Sequence, residues 1–446
     1  MRVTNIVISA NRAVPYAPFL LSLLSQYKKG KVTYSKFIIL SMMLTCISSC
    51  YKEVELPPDP DIIFELSVTP KMQEFIYNSR DTSYIIEEPG IGLLMGQQPL
   101  DLDEIRTRGK TALQYQRKSY AVKLNESLAI TGRNGTGMVH LSRFKLIALV
   151  MDYTYIENRI AFGILGDQGI MPLFYRFVEL KINGSTQGIY MMVEDPEQYY
   201  LERGSEYILR RGYYNSIADA EYEPSYQSIP RESYETRYKE IYTNLPILQG
   251  EALYTALNER LDLEQYFRKM GIDYLLQNGD YTDEVYLYAM IHQDKIRFNI
   301  IPWDYDDLFK SYPHEVGRNW GTGRLLGDRY YATHQDILDE IGEKMIFSIE
   351  DDLDYSIAMD PYLYARYEST LEEMIEEMDP EDIDVLFDQL RRELIPFYYK
   401  ELVVLQSRFD ASETSFNLWE ENMVEKKTFI KERLAAMKEQ LKEVQP

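Results

Sequence analysis

Cysteine is almost missing from this chain: Cys46 and Cys50 are the only two in 446 residues. Any fold formed beyond residue 50 therefore has no disulfide and must be held by its core. Histidine is scarce too, and His140, His292, His314 and His334 show no ligand spacing, which argues against a zinc site. Basic residues are few where they would matter for nucleic acid. Six of them (Arg2, Arg12, Lys28, Lys29, Lys31, Lys36) face no acid within the first fifty residues, so the remainder carries 42 basic against 71 acidic side chains, a net charge of −29. A surface of that sign excludes nucleic acid as a partner. No internal repeat or low-complexity segment is present. Roughly 390 residues past the N-terminal region are ample for a large core, in one large or two modest domains.

The longest apolar run, Phe37–Ser49, is too short to span a bilayer but has the length of a signal-peptide core, with lysines before it. It ends in Ile47-Ser48-Ser49-Cys50, which resembles the lipobox of bacterial lipoproteins, where the cysteine sulfur takes a diacylglyceryl group. Residues 1–50 are thus expected to be a signal peptide with Cys50 as the lipidation site. The stretch upstream of Lys28 is long for such a signal, placing the expected start near Val32. Polar, proline-bearing residues 51–60 suit a tether. Lys52-Glu53 resembles the lysine-plus-acid export signal of Bacteroidetes surface lipoproteins. The expected location is lipid-anchored outside the cytoplasm, at the outer membrane, and exposed at the cell surface if that short signal acts.

Past the tether, residues 61–125 alternate short apolar runs with turns, predicting a β-rich region. Ile156, Ile160 and Ile164 recur every four residues, predicting a helix with one apolar face. Val178, Leu180 and Ile182 alternate with Glu179 and Lys181, and Asn183-Gly184 turns the chain into Gly188–Val193, a hairpin signal. Helical patterning returns near Leu261, is interrupted by a second hairpin over 285–301, and dominates from Asp336 to Leu441.

Segment 278–307 concentrates the acids that carry chemistry. Asn278-Gly279-Asp280-Tyr281-Thr282-Asp283-Glu284 precedes one strand of the second hairpin, and Pro302-Trp303-Asp304-Tyr305-Asp306-Asp307 follows the other. Antiparallel strands bring those two ends to the same edge. Carboxylates gathered there repel unless a proton or cation is shared, and oxygen ligands without histidine or thiol select magnesium, manganese or calcium. On spacing alone, two solvated acidic loops fit equally well.

In order along the chain, Arg108-Gly109, Lys118-Ser119-Tyr120, Asp152 with Asn158-Arg159, Gly188-Ile189-Tyr190 with Glu194, Asn278-Gly279-Asp280 and Pro302-Trp303-Asp304-Tyr305-Asp306 resemble the motif series of the CotH (spore-coat protein H) family of atypical kinases. The resemblance covers most of 60–330. It implies an α+β, atypical protein-kinase-like two-lobed fold, with a β-rich N-terminal lobe and a helical C-terminal lobe. The family domain is expected over 61–330, with 331–446 completing or extending the lower lobe. It further implies ATP with Mg2+ or Mn2+ as cofactors and transfer of phosphate to protein hydroxyls. By the same resemblance Asp280 orients the substrate hydroxyl, Lys118 and Arg108 bind phosphate, Glu194 pairs with Lys118, and Asp304 and Asp306 hold the metal. Trp303 is expected to pack, and Asp152 and Tyr190 to be architectural.

Each assignment has a plainer counterpart: Lys118 as a strand-edge lysine beside Arg117, Glu194 as a cap for the Asp195-Pro196 turn, Arg108 as a partner for a surface acid. The sequence also departs from the kinase pattern. Five residues after Asp280, where an asparagine would ligate metal, stands Val285, with Asp283 or Glu284 as possible substitutes. An active secreted kinase, a degenerate kinase-like scaffolding module, and a calcium-stabilised adhesin all remain compatible with these features.

Overall fold

The computed structural model describes residues 62–444, apart from 81, 110, 133–136, 153, 213–214, 225–228, 280–284, 314–315, 317–330, 399 and 401–415. The signal, lipobox and tether with Cys50 lie outside the described residues, as does Asp280. The described part is α+β. Its larger sheet has eight strands: β1 (Ile63–Ser67), β2 (Gly92–Met95), β3 (Gln98–Leu100), β4 (Leu102–Arg108), β5 (Ser119–Thr131), β6 (Met138–Ile147), β7 (Tyr175–Ile182) and β8 (Ser185–Glu194). Their order is β3-β2-β1-β7-β8-β6-β5-β4, antiparallel throughout except where β1 runs parallel to β7.

Strand periodicity explains why the middle of this sheet is buried on both faces. Along β8, Tyr190 and Met192 enter one apolar cluster with Phe64, Phe144 and Leu180. Their neighbours Ile189, Met191 and Val193 enter a second, larger cluster on the opposite face. Helix α1 (Pro70–Asn78) closes the first cluster through Ile76. The expected hairpin forms: Asn183 and Gly184 adopt φ of 49° and 77° and join β7 to β8, the mirror-image turn that suits strand twist.

Helix α2 (Glu157–Asp167) realises the helix expected from the Ile156, Ile160, Ile164 pattern, with one difference. It is buried nearly all round, because Asn158 and Arg159 on its other side are used in bonding rather than solvated. Arg159 grips Glu393 bidentately at 2.8 and 2.9 Å.

A second sheet has the order β10-β9-β11-β12, built from β9 (Tyr207–Arg211), β10 (Ile217–Tyr222), β11 (Tyr286–His292) and β12 (Lys295–Ile301). The chain reverses between His292 and Lys295 as expected, with Gln293 and Asp294 at φ 49° and 61°. Short helix α3 (Pro196–Leu201) follows β8, and α4 (Arg231–Thr243), α5 (Gly250–Asn258) and α6 (Leu263–Leu276) lie between the strands of this sheet in sequence. The C-terminal helices are α7 (His334–Ile341), α8 (Asp352–Met359), α9 (Pro361–Glu377), α10 (Pro380–Tyr398) and α11 (Phe416–Val444). They contribute Ile337, Leu363, Leu390, Trp419 and Leu434 to the larger cluster, so they share one core with α2 and the second sheet. Among the described residues no helix is long and apolar enough to cross a membrane.

Candidate functional site

The acidic loop after β12 hangs from the first turn of α2. Asp152 accepts from the amide and hydroxyl of Thr154, both at 3.0 Å, and from the Glu157 amide at 2.7 Å, fixing the entry to the helix. The next two side chains then reach the loop: Asn158 Oδ1 accepts from the Tyr305 amide and the Glu157 carboxylate from the Leu308 amide, each at 2.9 Å. Asp304 sits at φ 56°, a left-handed conformation that non-glycine residues adopt at a cost and that collects at functional sites.

Electrostatics in this loop are unfavourable as they stand. Burial pushes Asp306 well above the ordinary carboxylate range, and Asp304, Asp152, Glu157 and Asp307 push it further. Burial likewise raises Asp152 to about 6 and, with Asp152 adding to it, lifts Glu157 well above its usual value. Such crowding is relieved by protons or by a cation.

The second acidic stem arrives where the hairpin geometry requires. Gln277 ends α6 at φ 51°. Beyond it the Gly279 amide donates to Asp307 O at 2.9 Å, and the amides of Phe309 and Lys310 donate to Leu276 O and Gln277 O at 2.9 and 3.1 Å. A Cβ on Gly279 would stand 2.7 Å from Asp307 Oδ2 and 2.8 Å from Lys310 Cγ, so a larger residue here would displace both side chains. Asn278 is buried, and its Oδ1 has no hydrogen-bond partner among the described residues. Asp280 lies one residue past this contact. Val285 is buried in the core, its carbonyl accepting from the Arg211 amide at 2.9 Å, and so offers nothing to a ligand.

The cationic side of the site differs from the expected one. Lys118 is buried, but its ammonium donates to the carbonyls of Leu113 and of Tyr115, the latter at 2.6 Å, and so ties down the turn before β5. Glu194 accepts from the Phe174 amide at 3.0 Å and lines a cavity shared with Arg159, Asp167 and Arg203. The expected Lys118–Glu194 pair is therefore not formed among the described residues. The reason is strand register: Glu194 stands opposite Phe144 of β6, which stands opposite Val122 of β5, four residues along the chain from Lys118.

Within the acidic loop itself Lys310 pairs with Asp307 at 2.7 Å; the lysine that reaches the Trp303 ring at the start of the loop, missed by the sequence reading, is Lys145 of β6. Its ammonium lies 2.7 Å from Glu197, 3.6 Å from Asp195 and 5.0 Å from the centre of the Trp303 ring. Arg108 stands over the same ring at 5.7 Å. Burial works to lower the Lys145 ammonium, but Asp195 and Glu197 outweigh it and the net shift is upward. Burial also opposes charge on both acids, yet Lys145 wins at Asp195, which falls to about 2. At Glu197 burial and the neighbouring Asp195 win, raising it to about 7. A signal for this cluster exists in the sequence: a lysine interrupts the apolar run Phe144–Ile147, and Asp195-Pro196-Glu197 opens a helix.

Residues 105–437 match the model of the family described as CotH kinase protein. The chain belongs to the CotH family. It is also 23% identical over 302 residues to the inner spore coat protein H of Bacillus subtilis (strain 168), covering 61% of this chain and 78% of that protein. The family match runs through the helices beyond residue 330 and includes Arg108, Lys145, Glu197, Asn278 and Asp304.

Among the described residues, no three His, Cys, Asp or Glu side chains converge as a ready-made metal site. Magnesium in nucleotide enzymes is held by one or two carboxylates together with water and phosphate oxygens rather than by a protein cage. Asp304 and Asp306, oxygen donors whose mutual repulsion a cation would relieve, suit that requirement.

Proposed function

We propose that this CotH-family protein is an atypical protein kinase with a two-lobed arrangement, in which the eight-stranded sheet forms the upper lobe and the second sheet with the helices forms the lower. The observation that carries this reading is the stack at Trp303. The cations Lys145 and Arg108 stand over the ring, and the next residue in the chain begins the acidic loop. Cations that neutralise transferring phosphates and acids that hold a divalent ion are the two halves of a phosphoryl-transfer site.

In this reading Lys145, oriented by Glu197 and Asp195, contacts the nucleotide phosphates, and Arg108 adds a planar fork beside it. Asp304 and Asp306 hold Mg2+ or Mn2+, which when bound offsets charge on the phosphate oxygens. Asp280, adjoining Gly279, accepts the proton of a protein hydroxyl as its oxygen bonds to the γ-phosphorus of ATP and the bond to the β–γ bridging oxygen breaks, releasing ADP. Lys118 keeps the turn before β5 in place, and Glu194 stays with Phe174. The protein is anchored through lipidated Cys50 outside the cytoplasm, at the outer membrane.

A second reading, a kinase-shaped scaffold without activity, is favoured by Val285, which removes the amide ligand that a second metal would use. The two separate in one titration. A ligand that binds only the folded state raises Tm by mass action. The kinase reading expects Tm to rise with ATP plus Mg2+ or Mn2+ more than with either alone. No rise with any of them supports the scaffold instead.

A further inference from the structure

Beneath the acidic loop lies a buried charged network that phosphate chemistry does not itself require. Tyr266, Lys269 and Asp273, spaced three and four residues apart, occupy one face of α6, and all three are buried. Lys269 Nζ meets Asp273 Oδ2 at 2.5 Å. The other carboxylate oxygen accepts from Asn278 Nδ2 at 3.3 Å, and the Asp273 carbonyl accepts the Asn278 amide at 3.1 Å. Asn278 leads into Gly279, whose amide holds Asp307. Nearby, Arg211 Nη1 accompanies the Tyr266 hydroxyl at 2.9 Å and Asp351 at 3.4 Å, while the Arg211 amide bonds Val285.

Two opposite charges withdrawn from water are retained at a cost unless their remaining hydrogen-bonding capacity is used. For Asp273 that capacity goes to the stem of the loop. We propose that Asp273, held by Lys269, is a positioning residue for the acidic loop. Through Asn278 and Gly279 it fixes where Asp307, and with it the loop that carries Asp304 and Asp306, is held. The functional consequence rests on the phosphotransfer reading; the mechanical one does not.

The test compares the full chain with Asp273→Asn and with Tyr367→Phe, a control that removes a buried hydroxyl bonded to Met345 O at 2.5 Å. The first readout is the Mn2+ concentration giving half of the ATP-dependent rise in Tm. Asp273→Asn is expected to raise it by about tenfold, as loss of partners behind metal ligands does, while Tyr367→Phe lowers Tm and leaves it unchanged. Combined with Asn278→Ala, Asp273→Asn should cost no more than the worse single change, since both act along one chain of contacts. The second readout is amide hydrogen exchange at Gly279, Tyr305 and Leu308, expected to accelerate in Asp273→Asn and not in the control. An unchanged Mn2+ requirement with unchanged exchange overturns the proposal. If the wild-type chain shows no ATP-dependent shift, the phosphotransfer reading fails, and exchange alone decides: acceleration upholds the positioning role and its absence overturns it. Should Asp273→Asn fail to fold, Asp273→Glu, which keeps the charge but lengthens its reach, carries both readouts.

Discussion

Lys145 of β6 and Glu197 of α3 meet at 2.7 Å, and both side chains are largely withdrawn from water. Neither charge is tolerable there alone, and the pair is directed at the ring of Trp303, the residue that opens the acidic loop.

Replacing each lysine should separate the two roles. Lys145→Met leaves Glu197 and Asp195 facing one another without a cation, and is expected to abolish the ATP-dependent rise in Tm. Lys118→Met leaves the buried Leu113 carbonyl and the part-buried Tyr115 carbonyl without this donor and should cost about 1–3 kcal/mol of stability, while the nucleotide-dependent rise survives. Thermal melts of both variants with and without ATP and Mn2+ check this.

Stability should decline as pH rises toward neutrality. A carboxyl whose folded pKa lies above its unfolded value retains a proton that the unfolded chain has released, so the stability it contributes is present at low pH and lost as pH rises through the folded value. Glu197 at about 7, against an ordinary 4.5, and Asp152 and Asp351 at about 6, against 3.8, all act in this sense. Asp195, held near 2, acts oppositely and only in the acid range below its ordinary 3.8. Metal-free Tm is therefore expected to fall between pH 4.5 and pH 7, and Glu197→Gln should flatten the upper part of that fall. A Tm that climbs over this interval contradicts the assignment.

Gly279→Ala places a methyl 2.7 Å from Asp307 Oδ2 and 2.8 Å from Lys310 Cγ. Overpacking of this kind costs about 1–3 kcal/mol, and here it would also displace Asp307. Reduced Tm together with a raised Mn2+ requirement is expected. Wild-type behaviour would mean that the two stems are not in contact.

Much of this arrangement was legible because local chemistry marks it. Asn183-Gly184 announces its hairpin, and strand alternation on either side of Gln293-Asp294 is enough to bring Asn278 and Asp304 to one edge. The cationic half was not legible in the same way. Which of Lys118 and Lys145 faces the site depends on where β5 begins and which face of the sheet each strand presents, and both depend on pairing across the sheet. The pairing of β9 is half hidden for a similar reason: it bonds its sequence neighbour β10 on one side, but β11, on the other, lies beyond three intervening helices. Asp273 gives no motif at all, since an acid four residues after a lysine on a helix usually marks a solvated surface pair.

The central claim, that Trp303 joins a cationic phosphate site to an acidic metal site, is tested most directly by γ-phosphate transfer from radiolabelled ATP in the wild-type chain and in Asp304→Ala, with circular dichroism checking that both are folded. The account predicts metal-dependent incorporation by the wild type and none by folded Asp304→Ala. Label transferred equally by both proteins would contradict it.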